Sequence, residues 1–190
     1  MIRVPALRTA RLDLVPLAAD HTRAVADLFA DPAMSAHLGA DLSDRAAAEE
    51  MVRRRLAYGG PDGLGHWALL HGGRVAGLAH LHPSAELPGG LCEIGWYVGS
   101  AYAGAGLATE AARALIRYGL ADLRLDAVWA LVHVDNTASL RVAARLGLLD
   151  VGRGFHYGGE HRVLVGLPGL LRTGGAEDDP RPGRAAGTSP

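Results

Sequence analysis

From Ile94 to Ala112 the chain reads IGWYVGSAYAGAGLATEAA, and this stretch constrains the fold more than any other. An apolar run ends at Val98, a loop of small residues follows, and a helical pattern starts at Leu107. A glycine-rich turn that enters a helix is an anion site. The first-turn amides have no intrahelical partner, and the helix dipole adds partial positive charge. No lysine follows the glycines, so the stretch is not a P-loop. Thr109 stands where a dinucleotide fingerprint needs its third glycine. The expectation is an anion held by main chain at the end of a strand.

The chain around this motif has 190 residues, enough for one domain with a substantial core. Hydrophobic residues make up 49% and charged residues 21%, which excludes a disordered chain. No apolar run is long enough to cross a membrane. The opening MIRVPALRTARLDLVPL lacks the apolar block of a signal peptide, so a cytoplasmic protein is expected. Cys92 is the only cysteine, which rules out an intrachain disulfide and suits a reducing compartment. A net charge of −1 gives no bulk attraction to nucleic acid or an anionic membrane, and neither partner is expected. A homodimer is the default oligomer.

Periodicity gives the organisation. Ala10–Val15 reads as a first strand. Asp20 caps a helix carrying Val25, Leu28 and Phe29 on one face, and Asp31–Pro32 ends it. A second helix runs from Ser43 to about Tyr58, with Arg53–Arg55 on its exposed side. His66–Leu70 and Val75–His82 flank a Gly72–Gly73 hairpin signal, and Leu91–Val98 is the next strand. A helix from Ala108 to about Asp122 precedes a strand at Ala127–Val132. A short helix starts at Asn136 or Thr137 and stops at Gly147. Two last strands, Val151–Tyr157 and Arg162–Leu167, frame Gly158–Gly159. This order predicts an α/β (α+β) fold: a mixed, mostly antiparallel sheet of about seven strands with helices on both faces. A single domain is expected over residues 1–171, with a disordered tail over 172–190 that is rich in Gly, Pro and Asp.

The segment Ala103-Gly104-Ala105-Gly106-Leu107-Ala108 resembles the acyl-CoA loop of the GNAT N-acetyltransferases. That loop has Gln or Arg, two variable residues, Gly, one variable residue, then Gly or Ala; Gly106 and Ala108 match, and Ala103 departs from it. Thr109-Glu110-Ala111, Asn136-Thr137-Ala138-Ser139, Arg145-Leu146-Gly147, Thr9-Ala10-Arg11-Leu12 and Asp31-Pro32 are similar to the RimJ/RimL subgroup, which acetylates ribosomal-protein N-termini. The resemblance covers roughly Arg8 to Leu167. It implies an acetyl-CoA-dependent N-acetyltransferase; separately, no metal is expected. The strand with Trp96, Tyr97 and Val98 would splay from its parallel neighbour at Ala127–Val132. The pantetheine arm would lie in that gap, and amides from Gly104 through Ala105, Gly106, Leu107 and Ala108 to Thr109 would hold the pyrophosphate. The Ala103 departure removes a side chain but leaves a main-chain cradle that any residue can supply. The resemblance implies a cofactor contact for Asn136, which also fits a helix N-cap. It makes Ser139 a candidate donor to the departing CoA sulfur, the alternative being an ordinary first-turn serine.

Acetyl transfer to an amine needs a neutral nucleophile, a donor for the developing oxyanion, and a proton for the leaving thiolate. A backbone N–H near Tyr97 or Val98 is the candidate oxyanion donor, and Glu93 is the candidate base. A carboxylate on a half-buried strand just before the loop can have a raised pKa and act through a water. The alternative is a carboxylate turned to solvent or paired with arginine. His80 and His82 share a strand face but match no zinc spacing, and are read as groove-lining or exposed. His133 lies near enough in sequence to approach the site or to be structural. Trp67, Trp96 and Trp129 are read as core, and Arg53–Arg55 as a solvated face. Cys92 has no activating partner in sequence, so direct attack in a ternary complex is expected over an acyl-enzyme. The acceptor is a protein N-terminus or a small-molecule amine. The rival reading is a non-catalytic acyl-CoA sensor or partner-binding module on the same fold.

Overall fold

Residues 4–38 and 42–169 are described by the structure, a computed structural model. The expected tail at 172–190 lies outside the described residues. The strands are β1 (Leu7–Arg8), β2 (Asp13–Pro16), β3 (Gly65–His71), β4 (Arg74–Pro83), β5 (Cys92–Val98), β6 (Val128–His133), β7 (Leu149–His156) and β8 (Gly159–Gly166). The helices are α1 (Thr22–Phe29), α2 (Pro32–Ser35), α3 (Arg45–Leu56), α4 (Leu107–Arg117) and α5 (Thr137–Leu146). The strands form one sheet in the order β1-β2-β3-β4-β5-β6-β8-β7. Every pair is antiparallel except β5 and β6.

The sheet has eight strands where about seven were expected, because the chain before Thr9 adds a two-residue edge. The expected strand Ala10–Val15 starts only at Asp13. Thr9 and Leu12 close a turn in which the Leu12 amide donates to Thr9 Oγ1 at 2.9 Å, and this turns the chain between β1 and β2. Asp20 does not cap α1. It sits inside a short 3-10 turn, and the Ala18 amide donates to His21 Nδ1 instead. Pro32 opens a further helical turn, with Asp31 as its N-cap.

Each face of the sheet has its own core. On one, α4 lays Leu107, Ala111, Ala112, Leu115 and Ile116 against Leu81, Ile94 and Trp96, and α5 adds Val142, Ala143 and Leu146. On the other, Val25, Ala26 and Phe29 of α1 meet Ala48, Met51 and Val52 of α3 over Leu78. Each large side chain so buried contributes about 1.5–3 kcal/mol, so the sheet is rigid where the two layers clamp it. Both hairpins turn on paired positive φ angles, Gly72–Gly73 (56° and 76°) and Tyr157–Gly158 (49° and 79°). The second turn lies one residue earlier than the Gly158–Gly159 expectation.

Candidate active site

The parallel pair is barely a pair. One register match, Glu93 with Trp129, joins β5 to β6. Toward their C-terminal ends the strands part, and β5 groups from Gly95 to Val98 that face β6 have no ladder partner there. The opening is flanked by Trp96, Tyr97 and Val98 on one side and by the β6–α5 junction on the other. Two indole N–H groups beside it, Trp96 Nε1 and Trp129 Nε1, are buried without a hydrogen-bond partner among the described residues. Trp67 and Trp96 are core as expected, whereas Trp129 is only half-buried.

Past Val98 the chain makes a 3-10 turn at Ser100–Tyr102 and reaches the loop. Ala103, Gly104 and Ala105 are exposed. Gly104 and Gly106 have φ of 78° and 80°, a region costly for other residues. Gly106 is the N-cap of α4, and no side chain caps the helix. Leu107, Ala108 and Thr109 therefore form a first turn whose amides have no side-chain acceptor. Thr109 Oγ1 is buried and unpartnered as well. An uncapped helix tip, positive-φ glycines and orphaned donors suit a polyanion with a long polar arm.

Motifs scattered in the sequence converge on this loop. Glu110 accepts from Thr9 Oγ1 (2.6 Å), the Arg11 amide (2.8 Å) and Arg11 Nε (2.7 Å). Arg11 Nη1 donates to the Ala105 carbonyl at 2.7 Å. Burial pushes the Glu110 carboxyl up, but these donors outweigh it and hold the group below its usual range. Ser100 donates to Asp31, which ties α2 to the start of the loop. Arg11 was quoted only as part of a motif; here its half-exposed guanidinium lies against the loop that Ala103 leaves without a cation.

Glu93 stands where β5 and β6 separate and is 3% exposed. Its Oε2 accepts from Tyr157 Oη at 2.8 Å and from Ser84 Oγ. Burial raises its pKa, and the two hydroxyl donors oppose the rise. It is neither solvent-facing nor paired with an arginine. Sequence reasoning missed both partners. Tyr157 sits at φ 49°, a strained setting for a bulky residue, and nothing local in sequence brings it to Glu93. Asn136 caps α5, its Oδ1 accepting from the Ser139 amide at 3.0 Å. The N-cap role is therefore present, and it leaves the amide NH2 for another acceptor. Ser139 is half-buried one turn on.

Beyond Glu93 the same sheet face carries Tyr97 and a group of histidines. Arg55 leaves the solvated face expected of Arg53–Arg55 and lies over Phe29 and Tyr97, 5.6 and 5.8 Å from the ring centres. Burial lowers the Arg55 pKa and raises that of Tyr97. His66 joins His80 and His82, and His133 stacks on His37 with centroids 5.3 Å apart. Cys92 faces the opposite core, and burial pushes its thiol up. A separate cavity of about 340 Å³ between α5 and the β7–β8 hairpin is lined by none of the candidate site residues.

The family model described as an acetyltransferase (GNAT) domain matches residues 11–149. The chain belongs to the GNAT acetyltransferase family. The Bacillus subtilis protein named "Putative ribosomal N-acetyltransferase YdaF" is 33% identical over 100 residues. That match takes in 51% of this chain, and the chain spans about half of YdaF, 54% of its length. An acetyltransferase structure from Agrobacterium tumefaciens has 27% identity and a TM-score of 0.70, covering 87% of this GNAT chain and 95% of that one. Mycobacterium smegmatis RimJ in complex with CoA-disulfide shares the fold at 18% identity and a TM-score of 0.68, covering 87% of each chain. The mixed sheet with its single parallel pair is thus the GNAT fold. No helix among the described residues is long and apolar enough to cross a membrane.

Proposed function

We propose that this GNAT protein moves the acetyl group of acetyl-CoA to a primary amine by direct attack in a ternary complex. What carries the reading is the position of Glu93: a buried carboxylate with a raised pKa, at the point where β5 leaves β6, on the strand that leads through the loop to an uncapped helix tip. Acetyl-CoA supplies the activated thioester. The amides of Gly104, Ala105, Gly106, Leu107, Ala108 and Thr109 hold its diphosphate, with the Arg11 guanidinium alongside and Ala103 contributing main chain alone. The unpaired β5 backbone at Trp96, Tyr97 and Val98 bonds the pantetheine arm, and the amide of Tyr97 or Val98 meets the charge that builds on the thioester oxygen. The Asn136 amide anchors the arm from the other side.

Glu93 takes a proton from the incoming ammonium through a water. Burial raises its pKa, which makes it a better proton acceptor than a solvated carboxylate, and the Tyr157 hydroxyl holds it in place. Ser139 donates to the departing sulfur. The likeness to YdaF favours a protein N-terminus as acceptor over a free small molecule. A protein of this kind works in the cytoplasm, where acetyl-CoA is made and used.

The test is a screen of amines that includes ribosomal-protein N-terminal peptides, read by CoA release, with calorimetry on acetyl-CoA alone. Release with a peptide acceptor supports the proposal. Tight acetyl-CoA binding with no release over the whole panel replaces it with an acyl-CoA-binding module.

A further inference from the structure

His66, His80 and His82 lie on the face of β3 and β4 that carries the α1–α3 core. His66 and His80 are cross-strand partners, and His82 follows two residues on. Ring centroids are 5.7 Å apart for His66 and His80, 4.9 Å for His66 and His82, and 4.5 Å for His80 and His82. One ring nitrogen from each forms a set in which all lie within 4.8 Å of one another. Gly95 sits opposite His80, and a Cβ there would come within 2.2 Å of the His80 ring, so the missing side chain gives the imidazole its room.

Three of the ring nitrogens lack protein partners among the described residues. His66 and His80 are 8% and 6% exposed. His66 Nδ1 and both nitrogens of His80 are buried with no hydrogen bond among the described residues. Buried polar atoms are almost always satisfied, so three orphans in two adjacent rings point to a missing ligand. His82 Nδ1 lies 2.9 Å from the Pro83 carbonyl. A carbonyl only accepts, so Nδ1 carries the proton and Nε2 keeps its lone pair. This is the backbone orientation that metal-bound imidazoles use. Tyr58 packs on His66 and His82, and its hydroxyl is also buried and unpartnered.

We propose that His66, His80 and His82 bind one divalent transition-metal ion, with Zn²⁺ the expected occupant. Three imidazoles without thiolate suit Zn²⁺, Co²⁺, Ni²⁺ and Cu²⁺ and disfavour Mg²⁺ and Ca²⁺. Tetrahedral ligation at about 2.0–2.1 Å needs nitrogens about 3.4 Å apart, which moderate side-chain rotation reaches from the spacing found here. A fourth position remains for water or an acceptor group, and the Tyr58 ring packs beside His66 and His82. Two histidines on one strand carry no such site; His66, from the neighbouring strand, supplies the third ligand, and the proposal departs from the expectation of no metal.

The test uses the full chain, stripped by dialysis against a chelator and titrated with Zn²⁺ in competition with a chromophoric indicator. One ion per chain is expected, and Co²⁺ should give the intense visible absorption of a tetrahedral site. His82→Ala, at the half-exposed position, and His66→Asn should each weaken binding at least about tenfold, with circular dichroism confirming the fold. No zinc uptake by the wild-type chain overturns the proposal. So does uptake that both variants retain, or that is lost in His133→Ala or His161→Ala instead.

Discussion

Replacing Glu93 with Gln removes a charge and little else. Glutamine is isosteric, and its Oε1 can still accept the Tyr157 hydroxyl that lies 2.8 Å from the carboxylate, as well as that of Ser84. The fold is kept, since burial already disfavours the charge that is lost. On the proposed mechanism, what disappears is the capacity to accept a proton from the acceptor amine. The size of that loss depends on the amine. An α-amino group of pKa about 7.7–8.0 is neutral in roughly one molecule in ten at pH 7; a lysine at about 10.4, in roughly one in 2,500. Glu93→Gln should therefore cut kcat/KM on an N-terminal peptide severalfold to about tenfold at pH 7. The defect should close as pH rises toward about 9, where the free amine is mostly neutral. On a lysine side chain the loss should reach the range of about 10²–10⁴ expected for a general base, and persist. CoA release measured from about pH 6 to about pH 9.5 reads both patterns, and calorimetry should find acetyl-CoA affinity unchanged. Equal turnover of variant and wild type at every pH removes Glu93 from the mechanism. Loss of acetyl-CoA binding makes it a structural residue instead.

Gly106→Ala forces a side chain into φ 80° at the mouth of the loop; a stability loss of about 1–2 kcal/mol and a raised KM for acetyl-CoA are expected, with kcat less affected. An unchanged KM would mean that the loop does not hold the diphosphate. Glu110→Gln breaks the Thr9–Arg11 clamp and should cost about 1–3 kcal/mol near neutral pH by urea unfolding. The Glu110 pKa is depressed in the fold, so its contribution is complete above the unfolded carboxyl range and lost as pH falls through the folded value. Variant and wild type should converge in acid, and a gap independent of pH would refute the charge argument. Cys92→Ala should keep activity, because the thiol lies in the opposite core with its pKa pushed up; an acetylated Cys92 trapped on the reaction path would overturn direct attack.

Local patterns in the sequence were enough for the elements that local forces make. The helix at Leu107 follows from its apolar spacing and from glycines that only a positive φ explains. The Gly72–Gly73 turn, the Asn136 cap and the Gly147 stop are likewise short-range chemistry. Element ends were less legible where a side chain intervened. Thr9 diverts the first strand by bonding Leu12, and His21 displaces Asp20 at the start of α1. Glu93 was visible as a carboxylate on a strand before an anion loop. Its setting was not, since Tyr157 is 64 residues away and reaches it through a strained turn.

The third histidine shows most clearly where sequence reading stops. The turn pairs His71 with Arg74 and Leu70 with Val75. Carried on unbroken, that register would set His66 opposite Ala79, with its side chain on the face of the α4 core. A bulge between Leu69 and Leu70 shifts the register, so that Leu69 meets Gly77 and His66 meets His80. One extra residue moves every later side chain of the strand to the other face relative to its partner. The bulge has no strong sequence signature, yet it decides whether His66 is a lone buried imidazole or the third member of a group. The same holds for the loop. Thr9, Asp31 and Glu110 look like unrelated motifs on the chain, and they become one arrangement only when the sheet brings the N-terminal turn and α2 to the tip of α4. Residues that look scattered are therefore better read here as supports of one loop and helix tip than as separate sites.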